Sequence, residues 1–196
     1  METSTVLSLA AFAAIITATP GPNTVMLAAS GLSFGVRRSL PQFAGIVTGF
    51  ALMLAAAAAG LQAILVAEPR ALWLLRLAGT GYLFWLAGKL WAAAGTAETG
   101  CPEPIPFAQA LLFQFVNPKA WLIAVSVVTA FVGAATGFAA QAGLCLLFML
   151  FSVPVLFAWV LFGAAIRLLL RDPLVLRRIN RCLSILTAAT AFMLWN

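Results

Sequence analysis

Six residues near the start of the chain, Thr19-Pro20-Gly21-Pro22-Asn23-Thr24, constrain its fold more than any others. They interrupt a long apolar run. Two prolines flanking a glycine do not continue a helix, because proline lacks the backbone donor and clashes with the preceding turn, at about 3 kcal/mol or more. What such a break requires depends on the solvent. Of the 196 residues, 64% are hydrophobic and 8% charged, whereas soluble domains average roughly 45–50% and about 25%. A chain of this size cannot hide that much apolar surface from water, so lipid is its solvent. In lipid the backbone groups freed by a break must find partners, and broken helices persist only where protein or a water-filled cavity surrounds them. The break therefore marks a place where something small and polar is held.

A spanning helix needs about 20 mostly apolar residues. Six spans are expected, at 5–30, 41–66, 71–92, 107–132, 138–166 and 174–195. A basic loop, Ser33 to Ser39, joins the first two, and Glu68-Pro69-Arg70 turns the chain between the second and third. The longest polar stretch, 95–106, carries three prolines and reads as a linker between residues 1–94 and 107–196. The N-terminus has Glu2 and no basic residue ahead of its apolar run, unlike a cleaved signal, so the first segment is expected to be retained.

Charge sets the orientation. With the first loop in the cytoplasm, the inner connections carry Arg37, Arg38, Lys89, Arg167, Arg171, Arg177, Arg178 and Arg181, and the outer side carries Arg70 and Arg76. This is a positive-inside bias, and it leaves both termini outside the cytoplasm. The 11 basic residues against 5 acidic ones thus report membrane orientation rather than nucleic-acid binding. Trp73 and Trp91, 18 residues apart, bracket the third span as interfacial anchors, about 27 Å from one another along a helix.

The central linker prompts a search for a repeat. A shift of 98 residues places Pro20 on Pro118, Gly45 on Gly143 and Phe50 on Phe148. Three spans on each side force the second half into the opposite orientation, and inverted repeats with broken helices in matching positions are a transporter pattern in which the breaks point to the site. The second break is Gln114-Phe115-Val116-Asn117-Pro118-Lys119, in the middle of the fourth span.

Lys119 is the one charge well inside a span, and no acidic residue lies within any span to pair with it. A buried lysine costs about 2.5–3.5 kcal/mol on insertion scales. Two roles are open to it: meeting a substrate carboxylate, or snorkelling to the inner interface. Asn23 and Thr24 begin a new half-helix behind Pro22, a residue favoured at the first helical position. The free N–H groups and positive dipole there attract an anion. For Asn23 the plainer reading is a helix cap. Gln114 lies one turn before Pro118. Gln42, Thr48, Ser126 and Thr129 either line a cavity or bond their own helix carbonyls, and the second is preferred. Gly45-Ile46-Val47-Thr48-Gly49 is a small-residue motif, read as close helix packing.

Other chemistries lack their residues. Gly31-Leu32-Ser33-Phe34-Gly35 matches a nucleophile-elbow pattern, but the chain has no histidine, so no Ser-His-Asp triad exists. Haem and most zinc sites are disfavoured for the same reason, and there is no P-loop. Cys101, Cys145 and Cys182 are scattered and form no CxxC. The expectation is no enzyme, no cofactor and no metal.

Three stretches resemble the LysE/RhtB family of amino-acid exporters: Ala18 to Thr24, Leu77-Ala78-Gly79-Thr80-Gly81-Tyr82-Leu83-Phe84-Trp85-Leu86-Ala87-Gly88-Lys89, and Phe113 to Ala120. Phe50 after Gly49, and the Gln-Phe-Val-Asn-x-Lys run, are most similar to the cysteine and O-acetylserine exporter branch. The resemblance implies export of amino acids or derivatives from the bacterial cytoplasm, driven by an ion gradient, with Pro20, Gly21, Pro22, Asn23, Asn117, Pro118 and Lys119 lining the path. Many members carry an acidic residue after the glycine in the second span. Here that region, Gly45 to Phe50, has none.

The expected protein is an all-α integral membrane protein of six transmembrane helices, built as two inverted three-helix repeats with helices 1 and 4 broken. It would sit in the bacterial inner membrane and export a small amino acid or derivative by alternating access. Its substrate site would comprise Pro20, Gly21, Pro22, Asn23, Thr24, Gln114, Asn117, Pro118 and Lys119. Its partners would be the substrate and the bilayer, with no nucleic acid, and small-residue surfaces suit a homodimer. The competing readings are a membrane scaffold, whose breaks would be plugged with no cavity between them, and a translocator of lipid or another metabolite.

Overall fold

The computed structural model describes residues 2–61, 69–95, 104–132, 137–169, 173–192 and 195. Among them every regular element is helical: α1 (Thr3–Ala18), α2 (Pro22–Ala56), α3 (Pro69–Gly95), α4 (Phe107–Val116), α5 (Pro118–Val127), α6 (Phe138–Leu169) and α7 (Pro173–Phe192). Single π-helical turns, Ala57–Leu61 and Val128–Val132, extend α2 and α5. Glu68 of the expected turn, most of the 95–106 linker, and Cys101 lie outside the described residues.

Two helical stretches are long and apolar enough to cross a membrane, Pro22–Gly60, interrupted at Gly35, and Phe138–Leu169, and the pair α4–α5, bent by 70° at its break, supplies a third if counted as one span. The surface supports a lipid environment. Leu7, Leu112, Leu122, Leu146 and Leu168 are exposed, while Ser39, Gln42, Gln114, Asn117 and Ser152 are buried. Exposed large apolar groups over buried polar ones invert the soluble pattern and suit a chain solvated by hydrocarbon.

Each break has a local cause. Thr19 is extended (φ −65°, ψ 126°), as the residue before a proline prefers, and α1 ends there. Pro22 then starts α2, where its missing N–H costs nothing. A second interruption lies inside α2 at Gly35, whose φ of 75° favours a residue without Cβ. Residues nine apart in a straight helix differ by about 13.5 Å in height, yet Ser30 Oγ donates to Ser39 Oγ at 2.8 Å, and Ser39 Oγ donates to the Gly35 carbonyl at 2.8 Å. The chain therefore folds back at Gly35, and α2 is two arms, before and after it. The basic loop expected from Ser33 to Ser39 is this one-residue turn: helix resumes at once, and Arg37 and Arg38 are helical. Glycine accomplishes in one residue what a loop was expected to do in several.

The halves of the chain interlock. α2 packs chiefly on α6 and α4, α1 on α6, and α3 on α7. Contact is close where glycine permits it. A Cβ on Gly31 would meet the Val160 carbonyl, one on Gly163 the Ala28 carbonyl, and one on Gly45 the Phe107 carbonyl. At Gly49 it would stand 2.6 Å from the Leu111 carbonyl. Gly45 and Gly49 thus perform the packing role read from their spacing, and Gly31 with Gly163 makes a second close approach that no motif announced. Around these contacts Leu9, Ala13, Phe50, Met53, Trp121 and Phe148 form one core cluster, and Leu27, Ile46, Ala110, Leu156 and Val160 another. Along α3, Trp73 packs edge-on to Trp195, beyond the end of α7, at 6.2 Å, and Trp91 lies under the guanidinium of Arg181 in α7 at 5.2 Å.

Gly163→Ala is expected to destabilise the fold by about 1–3 kcal/mol through overpacking. The check is the melting temperature of the purified protein in detergent, which should fall. Gly143→Ala, where nothing lies within 4 Å, should leave it unchanged or higher.

Candidate functional site

The two breaks meet. Asn23, in the first turn of α2, faces the end of α4: its Nδ2 donates to Gln114 Oε1 at 2.7 Å, and Gln114 Nε2 donates back to Asn23 Oδ1 at 3.1 Å. Asn117 Nδ2 donates to the same Asn23 oxygen at 3.3 Å. Gln114 is wholly buried and also donates to the Ala110 carbonyl at 3.1 Å, so both its polar atoms are satisfied. A reciprocal amide pair of this kind is strong away from water, since each group left alone would carry its full desolvation cost.

Lys119 closes the junction from the other side. From the first turn of α5 its ammonium donates to the carbonyls of Thr19 at 2.8 Å and Pro20 at 3.2 Å. These lie at the C-terminal end of α1, where carbonyls lack intrahelical partners and the dipole favours a cation. The lysine is half-buried, and its ammonium is bonded to the broken backbone. Gly21 permits this, because a Cβ there would stand 2.8 Å from both Cδ and Nζ of Lys119. Thr24 completes the turn, its hydroxyl accepting from the Gly21 N–H at 2.8 Å and donating to the Gly21 carbonyl at 3.0 Å. Asn117 is extended, as a residue before proline should be. Its carbonyl accepts from Ala120 and Trp121, capping α5 behind Pro118.

Beside this junction lies a cavity of about 50 Å³, lined by Gly21, Pro22, Asn23, Thr24, Asn117 and Lys119 among the expected residues. Pro20, Gln114 and Pro118 are not on its wall; they hold those that are. Sequence reasoning missed the rest of the wall: Ile16, Thr17, Ile46, Phe50, Ala120, Ile123, Phe148, Met149, Ser152 and Leu156. Most are apolar residues with nothing to distinguish them from lipid-facing neighbours. Ser152 did carry a signal, as the one hydroxyl between residues 142 and 166. Of the polar residues read as bonding their own helices, Thr129 does so, to the Val125 carbonyl at 2.9 Å. Gln42 departs from that reading: it is wholly buried and neither end of its amide has a partner. Among the described residues no group of His, Cys, Asp or Glu could hold a metal ion.

Residues 14–195 match the family model described as LysE type translocator. The chain belongs to the LysE translocator family. It is 38% identical over 132 residues to the cysteine/O-acetylserine efflux proteins of Escherichia coli (strain K12), Escherichia coli O6:K15:H31 (strain 536 / UPEC) and Shigella sonnei (strain Ss046). In each case the match covers 66% of this chain and 67% of the relative. No solved structure matches. This LysE translocator is thus a membrane protein homologous to amino-acid efflux proteins, and its family is one of transporters.

If the two breaks meet as described, Asn23 and Gln114 are energetically coupled. A double-mutant cycle of Asn23→Ala and Gln114→Ala, read by unfolding of the purified protein, should return an interaction of about 0.5–3 kcal/mol. Strict additivity would contradict the contact.

Proposed function

We propose that the protein exports small amino acids or their derivatives from the bacterial cytoplasm as a secondary transporter. Its six spans form two inverted three-helix repeats that rock about the junction of the two breaks. The observation that carries this reading is the cavity at that junction, walled by the start of one half-helix and by the residues of the second break. The homology to cysteine/O-acetylserine efflux proteins supports the substrate class.

The substrate carboxylate is taken at the start of α2. The first N–H groups of a helix have no intrahelical partner. Pro22 has none to offer, and that of Val25 reaches the Gly21 carbonyl at 3.0 Å. The N–H groups of Asn23 and Thr24 remain to meet an anion, with the helix dipole in support. The Lys119 ammonium, held at the same turn by two carbonyls, exchanges them for the carboxylate. That exchange loosens the tie between α1 and α5, and so couples substrate occupancy to movement of one repeat against the other. The Asn23–Gln114 pair keeps the two breaks in register during the change.

Uptake of labelled amino acids into inside-out vesicles tests this. Lys119→Ala and Asn23→Ala, at matched expression, should each lower the rate about tenfold or more, the loss of one charge-assisted hydrogen bond. Wild-type rates in both variants would sink the proposed site.

A further inference from the structure

We propose that Ser152 and the Asn117 side-chain oxygen form the ammonium-accepting end of this cavity and restrict it to small neutral amino acids. The inference rests on the reading of the cavity as an amino-acid site and adds to it a specificity-determining residue and a substrate class.

Among the described residues lining the cavity, Asn117 Oδ1 and Ser152 Oγ are the buried side-chain atoms without a hydrogen-bond partner. Their residues are only 2% and 3% exposed. A buried polar atom left unpaired costs about 1–3 kcal/mol, and in folded proteins such atoms usually find a partner. A helical serine or threonine has a ready one in the carbonyl a turn back. Thr129 and Thr187 take it, at 2.9 and 2.8 Å, and Ser184 finds the Ala87 carbonyl across the α3–α7 contact at 2.6 Å. Ser152 takes neither route. Its neighbours at the junction are already committed: Asn23 to Gln114 and Asn117, Thr24 to Gly21, Lys119 to the end of α1. The Asn117 oxygen is an acceptor only, the Ser152 hydroxyl can accept as well as donate, and neither has a donor partner.

An α-ammonium has three N–H donors and no acceptor, and suits such oxygens. With the start of α2 taking the carboxylate, the cavity has a separate place for each charge of a zwitterion. No Asp or Glu is among the described residues lining it, so a second positive charge on a substrate side chain would meet no counter-charge from them, which is costly away from water. Phe50, Phe148, Met149 and Leu156 on the remaining wall suit a short, uncharged side chain. The class is therefore a small neutral α-amino acid or its uncharged derivative, and cationic amino acids are excluded.

The experiment measures uptake of labelled serine, O-acetylserine and lysine into inside-out vesicles carrying wild type, Ser152→Ala or Ser152→Thr, beside the melting temperature of each purified protein. Wild type should transport serine or O-acetylserine and not lysine. Ser152→Ala should raise KM about tenfold or more, the loss of one hydrogen bond to a charged group. Its maximal rate should stay near wild type, and its melting temperature should not fall, since an unpartnered hydroxyl stabilises nothing. Ser152→Thr, which keeps the hydroxyl, should restore KM. An unchanged KM in Ser152→Ala beside an active wild type would overturn the role of Ser152 and leave the amino-acid site standing. Transport of lysine by wild type would overturn the exclusion of cations. A wild type inactive on every amino acid would remove the site reading, and this inference with it.

Discussion

Two helix breaks in a lipid-solvated chain cannot stand alone, and the bond from Lys119 to the carbonyls of Thr19 and Pro20 is what lets them stand together. A break strands backbone carbonyls at one helix end and N–H groups at the next. Hydrocarbon offers neither a partner. Here the stranded carbonyls of α1 are answered by a cation from the other half of the chain, while the cation, which is expensive to bury by itself, is answered by those carbonyls. Each defect is the remedy for the other. The Asn23–Gln114–Asn117 amides repeat the arrangement with neutral groups.

The rest of the fold brings these ends to one place. Gly35 turns α2 back on itself in one residue, so that the second arm lies on α4 through Gly45 and Gly49. The first arm meets α6 where Gly31 and Gly163 bring backbones into contact. Four glycines thus set the separation of the helices around the cavity, and a fifth, Gly21, leaves the space through which the lysine side chain reaches its carbonyls. What remains unfilled is a cavity between a polar junction and an apolar wall.

Much of this was legible beforehand. The two breaks and the lone lysine could be read from prolines and one charge, because each violates what a lipid-spanning helix otherwise requires. The GxxxG contact was legible for the same reason. The turn at Gly35 was read as a loop, since a glycine two residues after Ser33 and two before Arg37-Arg38 looks the same whether the chain turns in one residue or seven. Ser152 was passed over because a single hydroxyl in an apolar helix normally bonds its own backbone, and only the positions of its neighbours show that this one does not. The apolar wall had no signal at all, for in a chain that is 64% hydrophobic a phenylalanine facing a cavity and one facing lipid are written alike.

By itself the sequence determined the solvent, the helical class and the places where helices fail, because these follow from backbone hydrogen bonding and apolar length, both local properties of the chain. It also supplied the atoms that repair the failures. Which atom repairs which was decided only by tertiary structure. Lys119 and Thr19 are 100 residues apart, and nothing local distinguishes a lysine reserved for a substrate from one bonded to a broken helix. That choice belongs to packing, since a cation's partner is whichever acceptor the fold brings within reach, and so does the cavity, since empty space is a property of several helices and of no single one.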